Sequence, residues 1–263
     1  MDLGLKGKAV LITGGGTGIG REIAKSFARE GAKIALLGRR AEPLERTRGE
    51  IAEIGAECIA LSSVDVADEA AFSAAAGAVV TKLGSLDILV NNAGINIIKP
   101  VMEYSAEEYA RVLDTNLKGV FNGCRIAGEI MKKQGRGGVI INASSFASLI
   151  PHTTAIPYAA SKAGVSSLTK SFAASLAPFG IRVVGYIPGM IITEMSAADI
   201  EENEELYVSN IAEHRLGRPQ DLADPVVFLA SGRASYINGV DIRVDGGKYA
   251  VQDTEIPWKS TSV

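Results

Sequence analysis

A glycine-rich segment near the start of the chain reads Thr13-Gly14-Gly15-Gly16-Thr17-Gly18-Ile19-Gly20. It follows the apolar run Ala9-Val10-Leu11-Ile12, which has the length of a buried strand, and it precedes an amphipathic stretch of helical length that ends near Arg29. Backbone amides at a helix N-terminus attract an anion, and glycines let a pyrophosphate approach the backbone closely. This strand–turn–helix context predicts a dinucleotide-binding turn.

The spacing of these glycines departs from the most familiar patterns. It is Gly14-x3-Gly18-x-Gly20, so the literal G-x-G-x-x-G string is not present. A phosphate loop of the nucleoside-triphosphatase type is excluded because Arg21 and Glu22 stand where Lys and Ser or Thr belong. A tight turn that only reverses the chain is the alternative to a cofactor site.

The second apolar run ends in Gly38-Arg39-Arg40, roughly 20 residues beyond the glycines. In dinucleotide-binding folds an acid at this place binds the adenosine ribose, whereas an arginine accommodates a 2′-phosphate. Arg39 and Arg40 therefore favour NADP(H) over NAD(H). The alternative is a pair of solvated arginines at the start of a helix.

Seven apolar runs of strand length are separated mostly by stretches of helical length. They cover residues 9–12, 33–37, 58–61, 86–91, 138–142, 182–187 and 240–244. Apolar strands that alternate with helices predict a doubly wound, Rossmann-like parallel sheet of about seven strands with helices on both faces. No linker divides the chain, so we expect one α/β domain over residues 1–263, with a substrate lid at about 190–216 and a C-terminal tail at about 248–263.

The composition of the 263 residues is that of an ordinary globular protein, with a formal charge of −3. This charge gives no reason to expect nucleic acid or a membrane surface as a partner. The N-terminus lacks the features of a signal peptide, and no apolar run approaches the ~18 residues of a membrane span, so we expect a cytoplasmic protein. Cys58 and Cys124 match no metal-ligand spacing and are interpreted as buried free thiols, with a single disulfide as the alternative, and no metal site is expected.

A phenol and an ammonium share one helix face in the segment Tyr158-Ala159-Ala160-Ser161-Lys162. An unperturbed tyrosine has a pKa of about 10. A nearby lysine cation, and a cationic oxidised nicotinamide, would lower the pKa of Tyr158 toward the working pH of an acid–base catalyst. Such a pair alone is weak evidence, because tyrosine and lysine occur at this spacing on many helices by chance.

Other polar residues lie where the predicted sheet would gather them. Ser145 comes 13 residues before Tyr158, just past the strand at 138–142, and Asn116 lies in the helix that follows Asn91-Asn92-Ala93-Gly94. Open α/β sheets bind their ligands at the carboxyl ends of the strands. This placement makes Tyr158 a candidate catalytic residue.

In this set of motifs the sequence resembles the short-chain dehydrogenase/reductase family, over about residues 5 to 249. Matching motifs are the glycine turn, Asp65-Val66, Asn91-Asn92-Ala93-Gly94, Pro188-Gly189 with Thr193, and Asp245-Gly246-Gly247. The resemblance implies a catalytic tetrad of Asn116, Ser145, Tyr158 and Lys162. It also implies cofactor-binding residues, which we predict to be Gly14, Thr17, Gly18, Ile19, Gly20, Arg39, Arg40, Asp65, Val66, Asn92, Ala93, Gly94, Tyr158, Lys162, Pro188, Gly189, Ile191 and Thr193.

The resemblance also implies a reaction, the interconversion of a ketone and a secondary alcohol. Tyr158 would give a proton to the carbonyl oxygen, and Ser145 would polarise that oxygen. Lys162 would hold the nicotinamide ribose and tune Tyr158, while Asn116 would hold a water that links Lys162 to solvent. A cofactor-sensing protein without turnover is the alternative from a different class, and the presence of both Tyr158 and Lys162 argues against it.

The substrate is less defined than the reaction. The stretch from Asn91 to Pro100 resembles family members related to gluconate 5-dehydrogenase, in which case Lys99 could meet a carboxylate, although an exposed loop lysine is the simpler interpretation. A carrier-protein ketoreductase and a reductase of hydroxysteroids or diketones are the alternatives. The predicted substrate residues are Ser145, Asn96, His152, Tyr158, Met190 and Met195.

The quaternary structure is predicted from the family and from small residues after Tyr158. Ala159, Ala163, Gly164 and Ser167 would let a partner helix approach closely. Family members commonly pair this helix and then pair again at the C-terminal strand. We therefore expect a homotetramer.

Overall fold

A computed structural model describes residues 2–260 and contains a seven-stranded sheet in which every pairing is parallel. The strands are β1 Ala9–Thr13, β2 Lys33–Leu37, β3 Cys58–Leu61, β4 Ile88–Asn91, β5 Gly138–Ala143, β6 Ile181–Pro188 and β7 Asp241–Val244. Their order across the sheet is β3-β2-β1-β4-β5-β6-β7. The prediction of a doubly wound parallel sheet of about seven strands is confirmed.

Helices connect the strands and cover both faces of the sheet. They are α1 Gly18–Arg29, α2 Ala41–Glu53, α3 Glu69–Leu83, α4 Ala106–Leu113, α5 Gly119–Gln134, α6 Ile156–Leu176, α7 Ala197–Ser209, α8 Pro219–Ala230 and α9 Ile256–Ser260. A π-helical segment, Asp114–Lys118, joins α4 to α5. Among residues 2–260, no helix is long and apolar enough to cross a membrane.

Two hydrophobic cores, one on each face, explain why the strands are apolar throughout. Side chains of α1, α2 and α8 pack on one face, and those of α3, α5 and α6 pack on the other. Successive strand residues point to opposite faces. Within β1, Val10 and Ile12 therefore enter the first core, and Ala9 and Leu11 enter the second.

The connection pattern creates a crevice in the middle of the sheet. β1 lies between β2 and β4, and the chain runs from β1 outward to β3 before α3 brings it back to β4. Loops after β1 and β4 therefore turn to opposite faces and leave a gap at the carboxyl ends of these strands. Open α/β sheets bind ligands at such a switch point.

The segment predicted as a lid, residues 190–216, leaves β6 and returns to the body at α8. It contains α7, whose backbone departs from helical geometry at Asn203, where φ is −132°. A small apolar cluster of Ile200, Ile211 and Leu216 packs within this segment, apart from the two main cores. The lid segment is therefore held together partly by its own contacts.

The tail after β7 folds back over the end of the lid segment. The Trp258 ring stacks on the His214 ring with centroids 4.9 Å apart, and Trp258 Nε1 donates a hydrogen bond of 3.1 Å to the Ala212 carbonyl oxygen. Glu255 contacts His214 Nε2 at 2.9 Å. The tail and the lid segment are thus packed together.

Candidate active site

Hydrogen bonds join the glycine turn to the end of β4. Thr13 Oγ1 accepts hydrogen bonds from the backbone N–H groups of Asn92 and Ala93, both at 3.0 Å. In return, Asn92 Nδ2 donates to the carbonyl oxygens of Thr13 at 3.1 Å and Gly14 at 3.3 Å. Gly14 and Gly18 both have positive φ, of 67° and 51°, which a side chain would strain. The turn therefore depends on glycine and on Asn92 for its shape.

Gly20 fills a different need, because it lets α1 start close against the turn. A Cβ atom at Gly20 would lie 2.5 Å from Asn92 Nδ2, and closer still to the Gly14 carbonyl oxygen. These are atoms that hold the turn together, so they cannot move without breaking its hydrogen bonds. Gly20 is a packing requirement of the turn.

Replacing Gly20 with Ala is expected to destabilise the protein by about 1–3 kcal/mol, because an overpacked site must shift backbone or lose hydrogen bonds. Affinity for a dinucleotide in the cleft should fall with it. Gly49→Ala is the matched control, since Gly49 lies within α2 with no atom near its added Cβ, and it should stabilise by about 0.5–1 kcal/mol. Urea unfolding and fluorescence titration measure both quantities. Equal stabilities for the two variants would contradict this packing role.

A cleft of about 560 Å³ opens at the switch point between β1 and β4. Most of the predicted cofactor-binding residues line it, namely Gly14, Thr17, Gly18, Ile19, Arg39, Arg40, Asp65, Val66, Asn92, Ala93, Gly94, Tyr158, Lys162, Pro188 and Thr193. The sequence motifs that are scattered over the chain therefore meet around one space.

Three predicted cofactor-binding residues do not line this cleft. Gly20 lies behind the turn, as described above. At Gly189 a Cβ would approach Asp245 Cα to 2.7 Å, so this glycine permits close packing beside the end of β7. Ile191 is buried in the first core and forms a parallel β-bridge with Gly217. Their placement is explained by packing of the chain around the cleft.

The two arginines after β2 are exposed at the rim of the cleft. Within residues 2–260, neither the Arg39 nor the Arg40 guanidinium makes a hydrogen bond or ion pair with another side chain. The carboxylate of Asp65 is turned toward the backbone instead, because Asp65 Oδ1 accepts a hydrogen bond from Ala67 N–H at 2.9 Å. The rim therefore carries two cations available to a ligand.

Tyr158 and Lys162 lie on α6, one turn apart, at the inner end of the cleft. Lys162 is only 4% exposed, and its Nζ donates a 2.7 Å hydrogen bond to the carbonyl oxygen of Ala143, the last residue of β5. Lys162 Nζ lies 5.6 Å from the centroid of the Tyr158 ring. Burial lowers the pKa of Lys162 to about 8. The ammonium is thus fixed beside the phenol by the end of the sheet.

The pKa of Tyr158 differs from the sequence-based expectation. Burial raises it, because the phenolate would lose its hydration, and hydrogen bonding with the Ser145 side chain opposes this rise only in part. The expected lowering by Lys162 is therefore not found in this structure. The consequence is a phenol that keeps its proton at neutral pH.

Ser145 follows the end of β5 and is 8% exposed. Its hydroxyl accepts a hydrogen bond from Ala147 N–H at 3.1 Å and starts a short 3-10 turn, Phe146–Ser148. Ser145 does not line the cleft itself, but it contacts Tyr158 through its side chain. The structure thus brings Ser145 to the Tyr158 phenol, as the strand-end argument predicts.

Asn116 lies in the π-helical segment and is completely buried. Its Oδ1 accepts from Ile95 N–H at 2.8 Å, and its Nδ2 donates to the Ile95 carbonyl oxygen at 2.9 Å and to Ser161 Oγ at 3.2 Å. π-Helical turns are frequent at functional sites. The side chain of Asn116 therefore fixes the loop after β4 against α6, and its water-holding role stays a prediction.

The predicted substrate residues separate into two groups. Asn96 and Met195 line the cleft together with Tyr158, and Asn96 Oδ1 is a buried atom without a hydrogen-bond partner in the part of the chain that the structure describes. His152 and Met190 do not line it. His152 is exposed and contacts Thr154 Oγ1 at 2.9 Å, whereas Met190 packs on the apolar cluster of the lid segment.

Lys99, the candidate for a substrate carboxylate, already has a partner. Its Nζ lies 2.6 Å from Glu108 Oε2, and it also bonds to Glu108 Oε1 at 2.8 Å. The loop that carries it is tied down as well, since Lys99 N–H donates to the Thr154 carbonyl oxygen at 2.9 Å. Lys99 therefore stabilises the loop after β4 through its ion pair with Glu108.

Among the lining residues that were missed from the sequence are Arg111, Thr115 and Tyr186. Arg111 and Thr115 lie four residues apart, and their spacing beside Asn116 was a signal that could have found them. Tyr186 in β6 donates a 3.0 Å hydrogen bond from its hydroxyl to Asn92 Oδ1, and it thereby supports the asparagine that holds the glycine turn. No local pattern distinguishes Tyr186 from an ordinary strand residue.

A glycine-lined cleft at the switch point of a parallel sheet is typical of dinucleotide-binding folds. This cleft also contains the half-buried Tyr158 and the buried Lys162. Comparison with known proteins gives the family. The sequence pattern of a family described as enoyl-(acyl carrier protein) reductase matches residues 14–248.

Curated relatives and solved structures agree with that match. The L-rhamnose 1-dehydrogenase (NAD(P)(+)) of Azotobacter vinelandii is 39% identical over 249 residues, which are 92% of this chain and 96% of that protein. The 3-oxoacyl-acyl-carrier-protein reductase FabG of Staphylococcus aureus is 42% identical over 243 residues, 92% of this chain and 98% of that protein. A crystal structure of a short-chain type dehydrogenase/reductase from Mycobacterium marinum matches with a TM-score of 0.90 at 36% identity, covering 94% of this chain and 97% of that one.

The chain belongs to the short-chain dehydrogenase/reductase family. It is an oxidoreductase, of a family that interconverts alcohols and ketones and uses NAD(P)(H). The sequence-based predictions of the family and of the enzyme class are confirmed.

Proposed function

We propose that this enzyme is an NADP(H)-dependent carbonyl reductase that interconverts a ketone and a secondary alcohol with Tyr158 as the acid/base. One observation carries the proposal: the phenol of Tyr158, whose pKa is raised by burial, lies beside the buried ammonium of Lys162 at the inner end of the glycine cleft. A protonated phenol is the form that reduction needs, because the carbonyl oxygen must gain a proton.

The residues around the cleft fit a pyridine dinucleotide. Gly14 and Gly18 bring backbone close to the start of α1, where N–H groups favour an anion such as a pyrophosphate. The unpaired guanidinium groups of Arg39 and Arg40 at the rim suit a further phosphate on the adenosine ribose, which supports NADP(H) over NAD(H). When bound, the nicotinamide would supply the hydride for the reaction.

Each residue of the tetrad then has a defined task. Tyr158 delivers its proton to the carbonyl oxygen, and the Ser145 hydroxyl stabilises the charge that develops there. Lys162, fixed by the Ala143 carbonyl oxygen, holds a positive charge beside the phenol and favours transient loss of its proton. Asn116 holds the loop that begins at Ile95 and so keeps the wall of the cleft in place.

Removal of both rim cations tests the cofactor part of the proposal. Arg39→Ala with Arg40→Ala is expected to weaken NADPH binding by about 10- to 100-fold, the usual effect of losing charge-assisted hydrogen bonds to a phosphate. NADH binding should stay within about twofold, because NADH has no group for these side chains to bind. Titration of cofactor fluorescence measures both affinities.

A second double variant, Arg46→Ala with Arg48→Ala, controls for net charge. Both arginines lie on α2 but do not line the cleft, so the affinities for NADPH and NADH should change little and equally. If the Arg39 and Arg40 double variant loses affinity for NADPH and NADH to the same extent, the NADP(H) proposal is contradicted.

We also propose a homotetramer in the cytoplasm. Ala163 and Ser167 are exposed on α6 and leave a flat surface for a partner helix, which supports the subunit pairing. Ala159 and Gly164 serve the chain's own packing, since Ala159 is buried and a Cβ at Gly164 would approach Leu117 to 2.8 Å.

A further inference from the structure

Lys248 is a buried cation that the proposed reaction does not use. It is 4% exposed and lies just after the Asp245-Gly246-Gly247 turn that follows β7. Its Nζ makes no hydrogen bond or ion pair with any residue in the range 2–260 that the structure describes. A buried lysine without an anionic or carbonyl partner is costly, so its presence needs an explanation.

Aromatic rings surround the Lys248 ammonium. The centroids of Phe146 and Tyr207 are each 5.1 Å from Nζ, and the centroid of Tyr249 is 5.3 Å away. Phe146 and Tyr249 also stack on each other, with centroids 5.2 Å apart. Ring faces attract a cation, but they leave its three N–H donors without acceptors.

These rings come from three different segments of the chain. Phe146 directly follows Ser145, Tyr207 belongs to α7 of the lid segment, and Tyr249 begins the tail. The ammonium of Lys248 therefore packs against the ring of the residue that follows Ser145, while Lys248 and its three rings lie outside the lining of the glycine cleft. A substrate that extends from Ser145 past the Phe146 ring would bring an anionic end to this cation.

The nearest carboxylates do not neutralise Lys248. Asp245 is paired with Arg243 at 2.6 Å, and Asp199 accepts a 2.7 Å hydrogen bond from the Tyr207 hydroxyl. Burial lowers the pKa of Lys248, while Asp245 and Asp199 oppose that effect from a distance. Within residues 2–260, the Lys248 ammonium therefore has no carboxylate bound to it, and an anionic ligand would supply the missing partner.

We propose that Lys248 binds a carboxylate of the substrate, and that the enzyme therefore acts on keto acids and the corresponding hydroxy acids. The inference rests on the proposed ketone reduction at Tyr158 and adds the substrate class to it. It also transfers the role of carboxylate recognition from Lys99, which is paired with Glu108, to Lys248, which has no such partner among residues 2–260.

The lid segment gives a substrate a way in. Tyr207 covers Lys248 from α7, close to the non-helical backbone at Asn203, and the apolar cluster of the lid is separate from the main cores. The ammonium also keeps some accessible surface, since the fully enclosed and unpartnered atoms among residues 2–260 are Asn96 Oδ1 and Asp241 Oδ1 only. Displacement of Tyr207 would open Lys248 to a ligand.

The test compares acids with their own methyl esters, which lack the negative charge and are larger by one methyl group. Wild type and Lys248→Met are assayed for NADPH-dependent reduction of 4-oxopentanoate, 5-oxohexanoate and their methyl esters. For at least one acid, kcat/KM is expected to fall by about 10- to 100-fold in the variant, as for loss of a charge-assisted hydrogen bond, while the esters change by less than about threefold. Lys248→Arg should retain part of the preference for the acid.

Control experiments distinguish a loss of substrate recognition from a loss of the folded structure. Lys259→Met removes an exposed lysine from the same tail, where it pairs with Glu255. This variant should have the same kcat/KM as wild type for every substrate. Calorimetric titration of the NADP⁺-loaded protein with each acid measures binding without turnover, and it should show binding to wild type that Lys248→Met loses. Thermal unfolding confirms that each variant is folded.

The outcomes distinguish this inference from the reaction itself. A wild type that reduces the esters as well as the acids, or a variant that loses both equally, would overturn the role of Lys248 and leave the ketone reduction standing. Absence of acid binding in the titration would also overturn it. A wild type that binds the acids through Lys248 but reduces no ketone would instead contradict the proposed reaction.

Discussion

Tyr158→Phe is expected to lower kcat for ketone reduction by about 10²- to 10⁴-fold, the range that a positioned general acid contributes. The substitution removes one oxygen atom and keeps the ring that lines the inner end of the cleft. NADPH affinity should therefore stay within about twofold of wild type, because the groups that hold the dinucleotide are untouched. Stopped-flow turnover after NADPH loading separates the two effects.

Tyr236→Phe is the control for this experiment, since the Tyr236 side chain is fully exposed. It should leave both turnover and NADPH affinity unchanged. Turnover by Tyr158→Phe at a rate close to that of wild type would contradict the assignment of Tyr158 as the proton donor. A loss of NADPH affinity as large as the loss of rate would show that the phenol holds the cofactor instead.

Lys162→Met is expected to lower kcat/KM for reduction by about 10²-fold or more, because it removes a fixed charge from a site that is shielded from water. The Ala143 carbonyl oxygen also loses the donor that binds it at 2.7 Å, so NADPH affinity should fall too. Lys170→Met, an exposed lysine on the same helix, is the matched control and should behave as wild type.

The same lysine predicts a pH dependence. Lys162 is charged below its pKa, which burial lowers to about 8, and it becomes neutral above that value. If the charge assists proton donation by Tyr158, kcat/KM for reduction should decline as the pH rises through about 8. This decline should be absent from the low residual activity of Lys162→Met. A wild-type profile that stays flat through this range would contradict the role of the charge.

Most of the fold could be predicted from the sequence because it depends on local patterns. The apolar runs at 33–37 and 58–61 are strands with the predicted bounds. The run at 86–91 forms a strand only from Ile88, because Leu86 N–H and its carbonyl oxygen bind the Gln134 side chain. Such a contact between distant parts of the chain leaves no trace in local periodicity.

Likewise, part of the candidate site could be predicted from local sequence patterns and part could not. The strand ends and the spacing on α6 predicted that Ser145, Tyr158 and Lys162 would meet. The raised pKa of Tyr158 depends on how many atoms surround the phenol. The aromatic rings around Lys248 come from three segments that only the folded chain brings together. Burial and long-range contacts of this kind could not be predicted from one sequence.

The most direct test of the central claim is a screen of wild-type enzyme for carbonyl-dependent oxidation of NADPH. The panel contains keto acids, sugar keto acids, β-ketoacyl thioesters, diketones and ketosteroids, and NADH replaces NADPH in a parallel series. We expect at least one ketone to be reduced to its secondary alcohol, faster with NADPH than with NADH. A folded protein that binds NADPH but reduces no member of the panel would contradict the proposed function.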